Sequence, residues 1–145
     1  MIEINNLTNF KLDKKSFSQV AKKVLSGENR GTETLSLAFV GKEEIKKLNK
    51  KFRKKNKPTD VLSFDLKEKG YLGEIVICPE MVKPDKSQGH FDGPATIPAE
   101  RDLVRVFVHG ILHLCGYDHE GSEKEAEEME KKQQKFLSEA TPIYK

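Results

Sequence analysis

Hydrophobic positions recur along this chain with a period that shifts between two and about three and a half residues, and each shift marks an element. Ile2 and Ile4 flank Glu3, which predicts a short opening strand. Asp13 can cap a helix. Phe17, Val20, Ala21, Val24 and Leu25 follow at three- and four-residue spacing and cover one helical face. Gly27 and Gly31 flank the loop that ends it. Thr34–Val40 (TLSLAFV) predicts a core strand, broken by Gly41. A second helix is expected over Glu43–Arg53, with Ile45, Leu48 and Phe52 as its buried side.

Pro58 makes Lys57–Asp60 a loop, because proline lacks a backbone donor and restricts its predecessor. Two strands follow, Val61–Leu66 and Tyr71–Cys78, close enough to form a hairpin and so to make the sheet mixed. Residues 79–98 hold four prolines and two glycines without a period, which predicts a surface loop. Pro98, Glu100 and Asp102 suit the start of a helix. That helix should run from Ala99 to Cys115, largely apolar and central, until Gly116 stops it. Ser122 and Glu125 form a capping-box pattern for a last helix to Leu137. Ala126, Met129, Gln133, Phe136 and Leu137 lie on its thinner apolar side. The fold expected is α+β, a four-stranded mixed sheet packed against helices, with residues 1–145 as one domain.

Composition narrows the class. At 145 residues, with 36% hydrophobic and 34% charged positions, the chain can bury one core. No apolar run approaches a membrane span, and the opening MIEINNLTNF, with Glu3 early, is unlike a signal peptide. Cys78 and Cys115 both sit in apolar segments, which suits reduced, buried thiols and a cytoplasmic protein. The net charge of +3 conceals a strong asymmetry. Residues 46–57 (KKLNKKFRKKNK) hold eight Lys or Arg and no acid, whereas 118–130 hold seven acids and one Lys. The basic run is either a solvated helix face or a phosphate-binding patch.

Candidate chemistry concentrates in His109-Gly110-Ile111-Leu112-His113-Leu114-Cys115-Gly116-Tyr117-Asp118-His119. His109 and His113 are four apart and face the same way on a helix. A turn at Gly116 can bring His119 to the same ion. Three imidazoles leave one coordination position open, the arrangement of a catalytic zinc site as opposed to a closed structural one. The reading is one Zn2+ per chain on the central helix. The spacing matches that of zinc peptidases, but Gly110 stands where those enzymes carry the glutamate that acts as base, so peptide hydrolysis is not expected. His90, in the Pro/Gly-rich loop, gives no comparable signal. Glu74, inside an apolar strand, is either a satisfied carboxylate or a partner orienting a ligand imidazole.

The run H-G-I-L-H-L-C-G-Y-D-H resembles the signature of the YbeY family of bacterial endoribonucleases, the rRNA maturation factors. Leu48-Asn49-Lys50-Lys51-Phe52-Arg53 with Lys57-Pro58-Thr59-Asp60-Val61-Leu62-Ser63-Phe64 resembles a second block of that family. Gly73-Glu74-Ile75-Val76-Ile77 resembles a third, so the resemblance covers most of residues 35–137. It implies zinc ligation by His109, His113 and His119, with Arg53 near the metal and facing RNA phosphate. It implies single-strand-preferring RNA cleavage, maturation of the 3′ end of small-subunit rRNA, and ribosome quality control. The partners it implies are the small ribosomal subunit, ribosomal protein S11 and the GTPase Era. Lys50, Lys51, Lys54 and Lys57 are the further candidates for contact with RNA. The departure from the family pattern lies in 79–98, where prolines interrupt the helix that members usually carry. Two other readings stand beside this one: a non-catalytic ribosome-binding factor with a structural zinc, and a zinc-dependent peptidase or amide hydrolase.

Overall fold

The computed structural model describes residues 1–66, 68–83, 100–117 and 122–140. Its elements are β1 (Ile2–Asn6), α1 (Lys14–Gly27), β2 (Thr34–Phe39), α2 (Lys42–Arg53), β3 (Val61–Phe64), β4 (Tyr71–Ile77), α3 (Glu100–Leu114) and α4 (Glu123–Ala140). Most of the residues 79–98 expected as a loop lie outside the described set. Pro79–Met81 within it form one 3-10 turn.

Four strands make one sheet in the order β1-β2-β4-β3. β1 with β2 and β2 with β4 are parallel, whereas β3 and β4 form the antiparallel hairpin that the short connection required. The sheet is therefore mixed, with β3 on an edge. Alternation along β2 sends Leu35, Leu37 and Phe39 inward. There they meet Phe17 of α1 and the apolar side of α3. The ring of Phe17 packs edge-on to Phe39 at 5.2 Å and to Phe107 at 5.9 Å, the offset that the ring quadrupole favours. Asp13 caps α1 by accepting from the Lys15 amide at 3.1 Å. Ser122 caps α4 by accepting from the Glu125 amide at 3.1 Å.

A second, smaller cluster, Val40, Ile45, Leu62, Val76 and Cys78, seats α2 against other side chains of the same sheet. Here the expected buried face of α2 needs correction. Ile45 is buried and Leu48 half-buried, but Phe52 is 56% exposed and Asn49 only 1% exposed. The reason is local. Asn49 turns inward because its Nδ2 donates to the Lys57 carbonyl at 2.8 Å, tying the loop after α2 to the helix. Phe52, one turn from Leu48, is left on the rim, edge-on to Phe64 at 5.1 Å.

Candidate functional site

The C-terminal turn of α2 and the central helix α3 both contribute side chains to one groove. Lys54 adopts a left-handed conformation (φ 59°, ψ 30°) and closes α2, so the chain turns sharply after Arg53. The loop through Lys55, Lys57, Pro58, Thr59 and Asp60 then curves back into β3 and, with Asn49 and Arg53, lines a groove of about 570 Å³. Met81, Lys83 and Arg105 complete the lining, the last contributed by α3. Five cationic side chains face one carboxylate in this lining. A concave, cation-lined groove concentrates anions beyond what the net charge suggests.

Arg53 and Lys57 line the groove, whereas Lys50, Lys51 and Lys54 are exposed on or beside α2 and do not. Lys51 instead places its Nζ 5.2 Å from the Phe52 ring centroid. Arg105 was not singled out by the sequence reading. Its signal was positional: it lies four residues before His109, on the same stripe of α3. Its Nη2 donates to the Lys83 carbonyl at 3.2 Å, and the buried Asp102 carboxylate lies 4.0 Å away.

Along that stripe, Arg105, His109 and His113 follow at successive turns, each about 6 Å further along the axis. Arg105 and His109 are half-buried and His113 is exposed, so the stripe opens outward toward its C-terminal end. His109 Nδ1–H donates to Gln133 Oε1 of α4 at 2.9 Å. The amide oxygen cannot donate, so the bond fixes the tautomer and leaves the lone pair on Nε2. The chain then reverses at Gly116 (φ +106°), a conformation that glycine reaches without strain. Tyr117 anchors the reversal by donating to the Glu28 carboxylate at 3.1 and 3.2 Å. Lys132 lies 3.9 Å from the same carboxylate. Burial first, and then the Glu28 charge, push the Tyr117 hydroxyl pKa up from 10.0, so it stays a donor.

His119 lies outside the described residues. Among the described residues, no group of three metal-capable side chains is gathered. The donors that are described suit zinc in kind: two imidazoles at i and i+4, one with its tautomer set by a buried amide.

Gly110 has a packing role. A β-carbon there would lie 3.2 Å from Ile75 Cδ1 and 3.2 Å from Ser63 Oγ, so this face of α3 sits directly on β3 and β4. A glutamate at that position would point into the sheet. Glu74 neighbours Ile75 in β4, and strand alternation turns it to the opposite sheet face from Gly110. It therefore cannot orient a ligand imidazole on α3. Cys78 is buried and Cys115 half-buried.

The molecule is thus an α+β fold with a cationic groove lined in part by a histidine-bearing helix. The profile of the family described as Endoribonuclease YbeY matches residues 3–141, and the chain belongs to that family. It is 38% identical over 126 residues to an Endoribonuclease YbeY of Thermotoga maritima, across 87% of this chain and 77% of that protein. It is 47% identical over 109 residues to that of Bdellovibrio bacteriovorus, across 74% and 67%. A solution structure of a Thermotoga maritima protein superposes with a TM-score of 0.67 at 34% identity, covering 99% of this chain and 91% of that one. No helix among the described residues is long and apolar enough to cross a membrane.

Proposed function

We propose that this protein is a single-domain, zinc-dependent endoribonuclease acting on single-stranded RNA in small-subunit rRNA 3′-end maturation and ribosome quality control. The observation that supports the reading is that the helix bearing His109 and His113 also contributes a cation to the groove. Arg105 lines the groove and stands one turn before His109 on α3.

The residues divide the work as follows. Arg53 offers a planar, permanently charged fork to a backbone phosphate. Lys57 and Arg105 add charge along the same strand path, and the exposed Lys50, Lys51 and Lys54 raise the local field that draws RNA in. His109, His113 and His119 would hold the metal, with Gln133 keeping the His109 imidazole in register. When bound, zinc supplies Lewis-acid chemistry at the phosphodiester. An open groove lined by exposed cations accepts an unpaired strand more readily than a stiff duplex. Gly110, packed on the sheet, supplies no peptidase base. The cellular setting that follows is the cytoplasm. The partners that follow are the small subunit and, with it, ribosomal protein S11 and the GTPase Era.

The test is cleavage of an end-labelled single-stranded RNA by zinc-loaded parent protein, Arg53→Ala and His113→Ala. Cleavage by the parent, with Arg53→Ala slowed at unchanged zinc content and His113→Ala inactive, supports the reading. Equal cutting by all three overturns it. Binding of ribosomal subunits with no cleavage by the parent would favour a non-catalytic ribosome factor.

A further inference from the structure

Among the described residues, four large hydrophobic side chains are exposed: Met1, Leu7, Phe52 and Leu66. Three of them lie outside every helix and strand. Phe52 stands in the last turn of α2, where the other exposed side chains are Lys50, Lys51 and Arg53. A singly exposed apolar residue is ordinary on a protein surface, so exposure alone assigns no role. The bracing of this ring and the chemistry around it assign one.

The Phe52 ring is 56% exposed yet held. It meets Phe64 edge-on, with centroids 5.1 Å apart and planes at 65°. Phe64 is in turn half-buried against the second core cluster. A ring braced in this way loses little freedom when a ligand covers it. The surroundings call for an anion, since residues 46–57 hold eight Lys or Arg and no acid. Arg53, the next residue, is exposed and lines the groove. Consecutive helical residues project about 100° apart, so the ring and the guanidinium occupy adjoining faces of one turn. An acidic peptide answers the cations, but its backbone repeat offers no aromatic face. Single-stranded nucleic acid answers both, because each nucleotide carries a phosphate and a flat base. Lys51 Nζ lies 5.2 Å from the ring centroid. A cation–π contact at an exposed site is weaker than a stacked base, so the base displaces Lys51 and leaves its ammonium free for phosphate.

We infer that Phe52, braced by Phe64, is a stacking platform for one unpaired base of the bound strand, beside the phosphate that Arg53 takes. Every base has a π-face, so the platform does not read base identity. In a duplex both faces of a base are covered by its neighbours, so the ring favours an unpaired strand. This rests on the ribonuclease reading for the identity of the strand, but it is a statement about binding.

The experiment compares two ligands of equal length and charge, a uridine 10-mer and the same ribose-phosphate strand without bases. Binding to the zinc-loaded protein is read by stopped flow. Phe52→Ala should weaken the uridine strand about fivefold, the low end for one stacked base, and leave the baseless strand unchanged. Phe52→Leu keeps apolar bulk without a π-face and should lose the same amount. Phe52→Trp should bind the uridine strand at least as well as the parent. The chain has no Trp, so the fluorescence of that variant reports on this position alone. It should be quenched by the uridine strand and not by the baseless one. Equal weakening of both strands in Phe52→Ala overturns the inference, as does no weakening of either, full binding by Phe52→Leu, or an unquenched signal in Phe52→Trp. Loss of small-subunit binding in Phe52→Ala with both strands held as before would make the ring a protein-docking residue instead. RNA cleavage is measured in parallel. RNA still cut by the parent, with no Phe52 effect on binding, removes the platform alone. A base-dependent Phe52 effect with RNA uncut by the parent leaves the platform standing and removes the enzyme reading.

Discussion

His109 Nδ1 and Gln133 Oε1 stand 2.9 Å apart where α3 packs on α4, and the glutamine is 7% exposed. A polar residue on the apolar side of α4 would otherwise be a burden there. With His109 as the zinc ligand proposed above, its position makes it the second anchor of that imidazole, the first being the helix itself. Gln133→Met keeps the volume and removes the acceptor, so His109 loses its fixed tautomer and ring orientation. Zinc affinity, read by competition with a chromophoric chelator, should fall about 10- to 100-fold. The thermal midpoint without metal should move little, since an apolar replacement suits the site. An unchanged zinc affinity would make Gln133 a packing residue only.

Gly110 carries a second prediction. Replacing it by glutamate, as if to restore a peptidase base, drives a carboxylate against Ile75 and Ser63. Overpacking and an unpaired buried charge together should cost about 3 kcal/mol or more, seen as a lower urea midpoint at unchanged slope. No peptidase activity should appear. A stable Gly110→Glu protein that cleaved peptides would show that the helix can rotate its histidines and this position to a common side.

Much of the architecture was written in the periodicity. The Asp13 cap, the α1 stripe, the β3–β4 hairpin and the apolar α3 follow from local pattern, and the structure has them within a residue or two of the expected bounds. Phe52 was expected on the buried side of α2, where Asn49 lies instead, because hydropathy ranks the ring above the amide. What decided the matter was a hydrogen bond to Lys57, eight residues on, which no periodicity encodes. Arg105 and Gln133 are similar cases. Each sits at a legible position, one turn before His109 or on an apolar stripe, but its role depends on a partner from another element. Gly110 reads in the sequence as a missing base, and only the sheet beneath it reveals the close approach.

Alkaline pH should destabilise the fold in a defined window. Burial pushes the Cys115 thiol up from 9.0 to about 11, and also raises Cys78 and the Tyr117 hydroxyl. For these acids the unfolded chain ionises first, so it holds fewer protons than the native state as pH rises past 9. Their stabilisation is complete below that point and is lost as pH climbs toward 11. The thermal midpoint should be level up to about pH 8.5 and decline above it. At pH 8, alkylation of Cys115 in the folded protein should run roughly a hundredfold slower than that of an unfolded-chain thiol, because only the thiolate reacts. Labelling of Cys115 as fast as in urea would contradict the burial of that thiol.

The cations near α2 should separate into two groups by their response to salt. Arg53 and Lys57 line the groove, whereas Lys50, Lys51 and Lys54 lie outside its lining. Exposed charges act through a field that is screened within about 8 Å at physiological ionic strength, so they steer association more than they hold the complex. The triple variant Lys50→Gln, Lys51→Gln, Lys54→Gln should bind single-stranded RNA several-fold more weakly at low salt, mainly through a slower on-rate. That deficit should shrink as salt rises. Arg53→Ala should instead raise the off-rate and keep its deficit at high salt, since it removes the direct phosphate contact proposed for this residue. Stopped-flow binding across a salt series reads both rates. If the triple lysine variant were the one to lose affinity at high salt, the strand would run past Lys50, Lys51 and Lys54 rather than through the groove that Arg53 and Arg105 line.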